Sequence, residues 1–390
     1  MREELSGEAL AALIERVFRP SPSDRALAVL IDMPDRLRTD TAEWRERREM
    51  AAQWVRRLAP CQKKLGLEVH LYMYRNVRTN NADLPRGACL HVSGPLPGTA
   101  DEIDPWVEEP FPNIFRTHSL LLALTELSAT APLKLMARTY GFRAATMPGF
   151  SSAMIPALRL DYEEINRRVA MLKDLLDRAE AAELLFAVDN GPECSLFLDL
   201  RHRTAHASGG LFHEKGTAGN LPSGEAYIVP YEGEIANVPS KSAGRLPVQF
   251  GSDVVIYEIE QNRAMRVEGT GPAAQREAEH LTREPAYGNI AELGLGVLSD
   301  FGVKPCGSLL LDEKLGLHIA FGRSDHFGGH VGAAQFSQPE EVVHIDRVYL
   351  PSLQPRVHVR RADLRGAGLQ LALIRDDRFV IDYATSCASG

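Results

Sequence analysis

The chain has 390 residues, 44% hydrophobic and 25% charged, with a formal net charge of -8; this is the make-up of an ordinary globular protein of two domains or three small ones. Acidic and basic residues mingle throughout, as in "RRVAMLKDLLDRAEAAE", so no basic stripe marks a nucleic-acid partner. No apolar run approaches bilayer length, the acidic start "MREELSGE" is unlike a signal peptide, and cysteines 61, 89, 194, 306 and 387 form no C-x-x-C pair; a membrane span, a disulfide framework and a zinc ribbon are all disfavoured, and a cytoplasmic location is expected.

In chain order, "GEALAALIERVF" places Leu10, Leu13, Ile14 and Val17 on one helical face, and "RALAVLIDMP" follows as a fully apolar strand. "DTAEWRERREMAAQWVRRL" is the next helix, with Asp40 and Glu43 at capping-box spacing, and "LGLEVHLYMYR" returns to strand. Strand, helix, strand is the grammar of an α/β domain with a largely parallel sheet. The Pro- and Gly-rich stretch from Leu84 to Pro112 reads mainly as loop, long enough to reach a partner or cover a cleft. "DYEEINRRVAMLKDLLDRAEAAE" reads as an amphipathic helix with Ile165, Val169, Leu172, Leu176 and Ala179 in register.

Beyond about residue 186 the texture changes to short strands such as "CSLFLDLRHR", "EAYIVPYEGEI" and "DVVIYEIEQ", interrupted by one helical pattern, "GPAAQREAEHLTRE". The expected fold class is therefore α/β plus α+β. An N-terminal α/β domain with a largely parallel sheet spans residues 1–185, and a mostly antiparallel, β-rich domain spans 186–390.

Four stretches of the second half carry ionisable residues in apolar or Gly-rich settings. "VVHIDRVY" alternates so that His344 and Asp346 share a strand face; each needs a partner if buried, which is either the other residue or a metal ion. Glu225 follows the Pro–Ser–Gly turn of "NLPSGE", Glu292 sits in "NIAELGLG", and His318 lies in "LLLDEKLGLHIAFG". Taken singly, these read as an edge carboxylate, a carboxylate accepting backbone hydrogen bonds and a core histidine, with Asp312 and Glu313 as turn residues. Taken together, three carboxylates and two imidazoles without a thiolate suit zinc, cobalt, manganese or iron(II). Five protein ligands exceed what one catalytic zinc uses, whereas two ions bridged by a carboxylate would take them naturally.

These stretches resemble the metallo-aminopeptidase family typified by thermophilic aminopeptidase T and aminopeptidase S. Members carry an "NLPAGE"-like turn, an "ELGIG"-like segment, a "LLDEK…HIALG"-like segment and a late H-x-D in that order; here they read "NLPSGE", "AELGLG", "LLLDEKLGLHIAFG" and "HID". The resemblance extends more loosely through "TAPLKLMARTYGFRAATMPGF" and the "DYEEI" helix. It implies metal ligands at Glu225, Glu292, His318, His344 and Asp346, two divalent ions, a homodimer, and hydrolysis of a peptide or small amide. One position departs from the pattern. The tyrosine that follows the family's "HIALG" histidine by seven residues, and stabilises the tetrahedral intermediate there, is Asp325 here. His326 follows it, with His330 beyond. Asp325 could donate only if protonated, His326 as imidazolium or in the right tautomer; alternatively His326 and His330 face solvent. Iron(II) ring-cleaving dioxygenases of dihydroxypyridines are distantly similar, with histidine where Glu292 stands. A non-catalytic metal-binding partner protein is the third expectation.

Overall fold

The computed structural model of the protein describes residues 3–103 and 108–383; Cys387 and the "DPWV" portion of the Pro-rich stretch lie outside the described residues. The chain forms two compact units. One consists of Met1–Asn166, Ser208–Ser223 and Cys306–Leu311, the other of Arg167–Ala207, Gly224–Pro305 and Asp312–Gly390.

The first unit is built on a seven-stranded sheet. Its spatial order is Ala218–Asn220, Arg143–Thr146, Leu120–Ala123, Ala26–Met33, Glu68–Arg75, Gly87–His91 and Glu108–Pro110. The first five strands run parallel to one another, as the strand–helix grammar requires. The last two add antiparallel at the edge. They fall within the stretch expected to be mainly loop, which is thereby corrected. The outermost of them, Glu108–Pro110, carries a proline that an edge strand tolerates, and Cys89 is buried in Gly87–His91.

Helix Gly7–Phe18 buries Leu10, Leu13, Ile14 and Val17, and the Ser6 side chain accepts from the backbone N–H of Ala9 at its start. Helix Ala42–Leu58 is capped by Thr41, which accepts from the N–H of Trp44, rather than by Asp40. Asp40 instead pairs with Arg45 and Arg48, at 2.9 and 2.8 Å. Asp32, near the end of the fully buried strand Ala26–Met33, accepts from the backbone of Glu126 and Leu127 and from the Trp44 indole.

Helix Tyr162–Arg178 buries Ile165, Val169, Leu172 and Leu176. It stops before "AEAAE", whose alanines open the strand Ala181–Val188 instead. That strand belongs to an eight-stranded sheet in which every neighbouring pair of strands runs antiparallel. A separate five-stranded sheet begins at its edge with His344–Val348, followed by Leu317–Gly322, Ile290–Gly296 and Glu225–Ile228. These four strands pair antiparallel and position the site. Among the described residues no helix is long and apolar enough to cross a membrane.

Candidate metal centre

Residues directly opposite one another on paired strands project from the same face of a sheet. The register aligns Glu225 with Gly296 and Tyr227 with Gly294, then Gly294 with His318. It also aligns Glu292 with Ala320, Ala320 with Asp346, and Gly322 with His344. Glu225, Glu292, His318, His344 and Asp346 therefore lie on one face, among the small residues Gly294, Gly296, Ala320 and Gly322. Smallness is required at Gly294, because the His318 ring lies across it and a methyl group there would overlap the imidazole.

The side chains converge around Glu292. His318 Nε2 lies 3.1 Å from Glu292 Oε1 and 3.5 Å from Glu225 Oε2. His344 Nε2 lies 3.4 Å from Glu292 Oε2 and 3.6 Å from Asp346 Oδ1. Two overlapping donor groups result, Glu225–Glu292–His318 and Glu292–His344–Asp346, each with its ligand atoms within 4.8 Å of one another.

Two observations test whether a cation fits. The Nδ1 atoms of His318 and His344 donate to the carbonyls of Gly316 and Arg323, at 3.2 and 2.7 Å. A neutral ring with its proton on Nδ1 turns the Nε2 lone pair toward the carboxylates, which is unfavourable unless a cation or a proton lies between them. Second, Glu225 Oε2 is buried without a hydrogen-bond partner. The donors are all nitrogen and oxygen, as a hard or borderline divalent ion prefers. The residues fit.

Without an ion, protons do the balancing. Burial opposes a charge on His318, but Glu292, Glu225 and Asp346 outweigh it and raise its pKa to about 9. His344 is likewise lifted well above its ordinary value against its burial, by Asp346 and Glu292. Burial would push Glu292 up, yet the two imidazoles draw it down to about 2.

Two further residues belong to this cluster. Lys314, 1% exposed, donates to Glu225 Oε1 at 2.6 Å and to Glu313. Glu313 is no simple turn residue: its side chain is 15% exposed. Its pKa is pushed up to about 8 by burial and by Asp346 and Glu225, against the pull of Lys314. The spacing of "LLLDEKLGLH" gave no helical or strand signal for these two, because their burial comes from the sheet behind them: Gly296 packs directly against the Lys314 backbone.

The 325–330 loop separates the remaining candidates. Asp325 pairs with Arg323 at 2.6 Å. Partial burial pushes its pKa up, but Arg323 and His326 more than offset this and hold it below the ordinary range, so Asp325 is a carboxylate and no donor. The His326 ring centroid is 5.4 Å from that of His344. Its partial burial, then His344 and Arg323, lower its pKa to about 4, which favours the neutral ring over the imidazolium. His330 points outward, 64% exposed, with Nε2 3.8 Å from Glu234. Tyr227, on the strand face of Glu225, stacks on His206 and meets Phe327 edge-on.

No family model and no curated protein matches the chain. Its fold is shared with solved structures. A 2,5-dihydroxypyridine dioxygenase from Pseudomonas putida matches over 97% of this chain and 99% of its own, with 15% identity and a TM-score of 0.61. AmpT from Thermus thermophilus matches over 96% and 98%, with 15% identity and a TM-score of 0.55. The mixed arrangement of an α/β unit and a β-rich unit is thus shared with these solved structures, and the five-residue cluster lies in the β-rich unit.

Proposed function

We propose that the protein is a metal-dependent hydrolase that cleaves an N-terminal peptide bond or a small amide, with narrow specificity. The observation that carries this reading is the carboxylate-rich donor set around Glu292, on a fold shared with AmpT. Glu225, Glu292, His318, His344 and Asp346, in two donor groups that share Glu292, would hold the metal centre. When bound, the metal supplies Lewis acidity that polarises a carbonyl and acidifies water. The chain's own residues do the rest. The backbone carbonyls of Gly316 and Arg323 fix the imidazole tautomers. Glu313, buried beside Lys314, can hold a proton near neutral pH. His326, neutral and packed beside His344, can donate a hydrogen bond where the family's tyrosine is missing.

Loss of one donor to a developing oxyanion costs about two to three orders of magnitude in rate. Generic aminoacyl-p-nitroanilides are therefore expected to turn over slowly with zinc, cobalt or manganese. Vigorous cleavage across the panel would show that the missing tyrosine is no handicap. A second reading, an iron(II) ring-cleaving dioxygenase, is favoured by the fold shared with the dihydroxypyridine enzyme and by the nearness of His318 and His344 to the Glu292 carboxylate. Oxygen uptake with iron(II) and dihydroxypyridines, absent under the hydrolytic conditions, would replace the first reading by this one. Tight metal binding with neither activity would leave a metal-binding partner protein.

A further inference from the structure

Resting on the metal-centre reading above, we propose that Arg347 is a positioning residue of the centre, which aims His344 and Asp346 by fastening the back of their strand through Tyr287 to Glu277. The strand His344–Val348 ends its sheet and pairs with Leu317–Gly322. A strand hydrogen-bonded along one flank can roll about its own axis. Such a roll swings both ligand side chains together, because they share a face.

Arg347 directly follows Asp346 and so projects from the opposite face. There its Nη2 donates to the Tyr287 hydroxyl at 3.1 Å, and its guanidinium carbon lies 4.6 Å from the centre of the Phe250 ring. The Tyr287 hydroxyl donates in turn to Glu277 Oε2 at 2.6 Å, where the Tyr257 hydroxyl donates as well, at 2.7 Å. Both tyrosines are 0% exposed. Their rings pack on Phe321, which stands opposite Ile345 on the same back face as Arg347. A cation, a phenol and a carboxylate in series polarise one another and strengthen each bond of the chain. An apolar filling would be less costly, since Arg347 Nε is buried without a partner. Such a filling would give packing alone, whereas the hydrogen-bonded chain gives the strand a direction.

The test is cobalt(II) titration of the full chain, followed by calorimetry and by the visible absorption of the bound ion. Arg347→Met, folded by circular dichroism, should weaken cobalt binding about 10- to 100-fold and shift the absorption band. A role confined to stability would lower Tm and leave the band where it was. Tyr287→Phe keeps the ring but loses the hydroxyl that joins Arg347 to Glu277. It should weaken binding in the same direction by a smaller factor, and add nothing in the Arg347→Met background. Should Arg347→Met fail to fold, Tyr287→Phe decides alone. Unchanged affinity and spectrum in either folded variant would overturn the proposal while leaving the centre itself standing, as would effects that multiply in the double variant. A wild type that binds no cobalt would remove the centre and the proposal with it.

Discussion

Gly294 shows how a residue without chemistry can govern the site. The His318 ring occupies the space its side chain would fill. Gly294→Ala is expected to weaken metal affinity about 10- to 100-fold by displacing His318 from Glu292, and to cost on the order of 1–3 kcal/mol of stability through overpacking; metal titration and thermal unfolding check both. Asp32 carries a second residue-level expectation. Burial pushes its pKa up to about 6 despite Glu126, Leu127, Trp44 and Arg47. Between about pH 4 and 6 the folded state holds a proton that the unfolded chain has released, so stability falls as pH rises through that window. Asp32→Asn lacks this dependence. Urea unfolding should show the wild type's advantage shrinking by on the order of 2–3 kcal/mol from pH 4 to pH 6.5, and a constant difference would refute the assignment. The common face of His344 and Asp346 was legible from period-two alternation alone. Lys314 was not, since a buried lysine in an irregular turn is defined only by the carboxylates that distant strands bring to it.

At the scale of elements, the Arg323–Val331 loop is pinned from beneath by Glu232. This carboxylate accepts from Ser324 Oγ at 2.5 Å, Asn289 Nδ2 at 2.7 Å and the His330 N–H at 2.5 Å, and it is 5% exposed. Removing it leaves buried donors unsatisfied, at about 1–3 kcal/mol each. Glu232→Ala should therefore speed amide exchange across residues 324–331 while the strand Leu317–Gly322 stays protected; uniform acceleration would mean that the pin belongs to the whole sheet. Long periodic elements such as Gly7–Phe18 and Tyr162–Arg178 were readable because one face repeats every three or four residues. The Gly87–His91 and Glu108–Pro110 strands were hidden by the prolines and glycines around them, and the proline within Glu108–Pro110 is tolerated because that strand is outermost. The cap of Ala42–Leu58 shifted by one residue, to Thr41, because Asp40 is taken by arginines.

For the whole molecule, an ion that binds only the folded state stabilises it by mass action, about 2.7 kcal/mol at a hundredfold excess over Kd. Adding zinc or manganese to chelator-treated protein should raise Tm by several degrees, and His344→Ala should abolish that rise while His202→Ala keeps it. The homodimer expected from the family resemblance is checked by light scattering, and monomer alone at micromolar concentration would remove it. The two-unit α/β and β-rich arrangement was readable from the change of texture along the chain, but the return of Ser208–Ser223 and Cys306–Leu311 to the first unit was not, because segments this short carry no pattern of their own. The site also has a consequence for handling the protein. His344 and Asp346 sit on the outermost strand of the five-stranded sheet. An outermost strand exposes unpaired backbone groups that recruit strands from other molecules unless something holds it in place. An ion clasping His344 and Asp346 to Glu292 ties that rim to the sheet interior. Metal starvation should thus be felt first as self-association and loss from solution, before any loss of secondary structure.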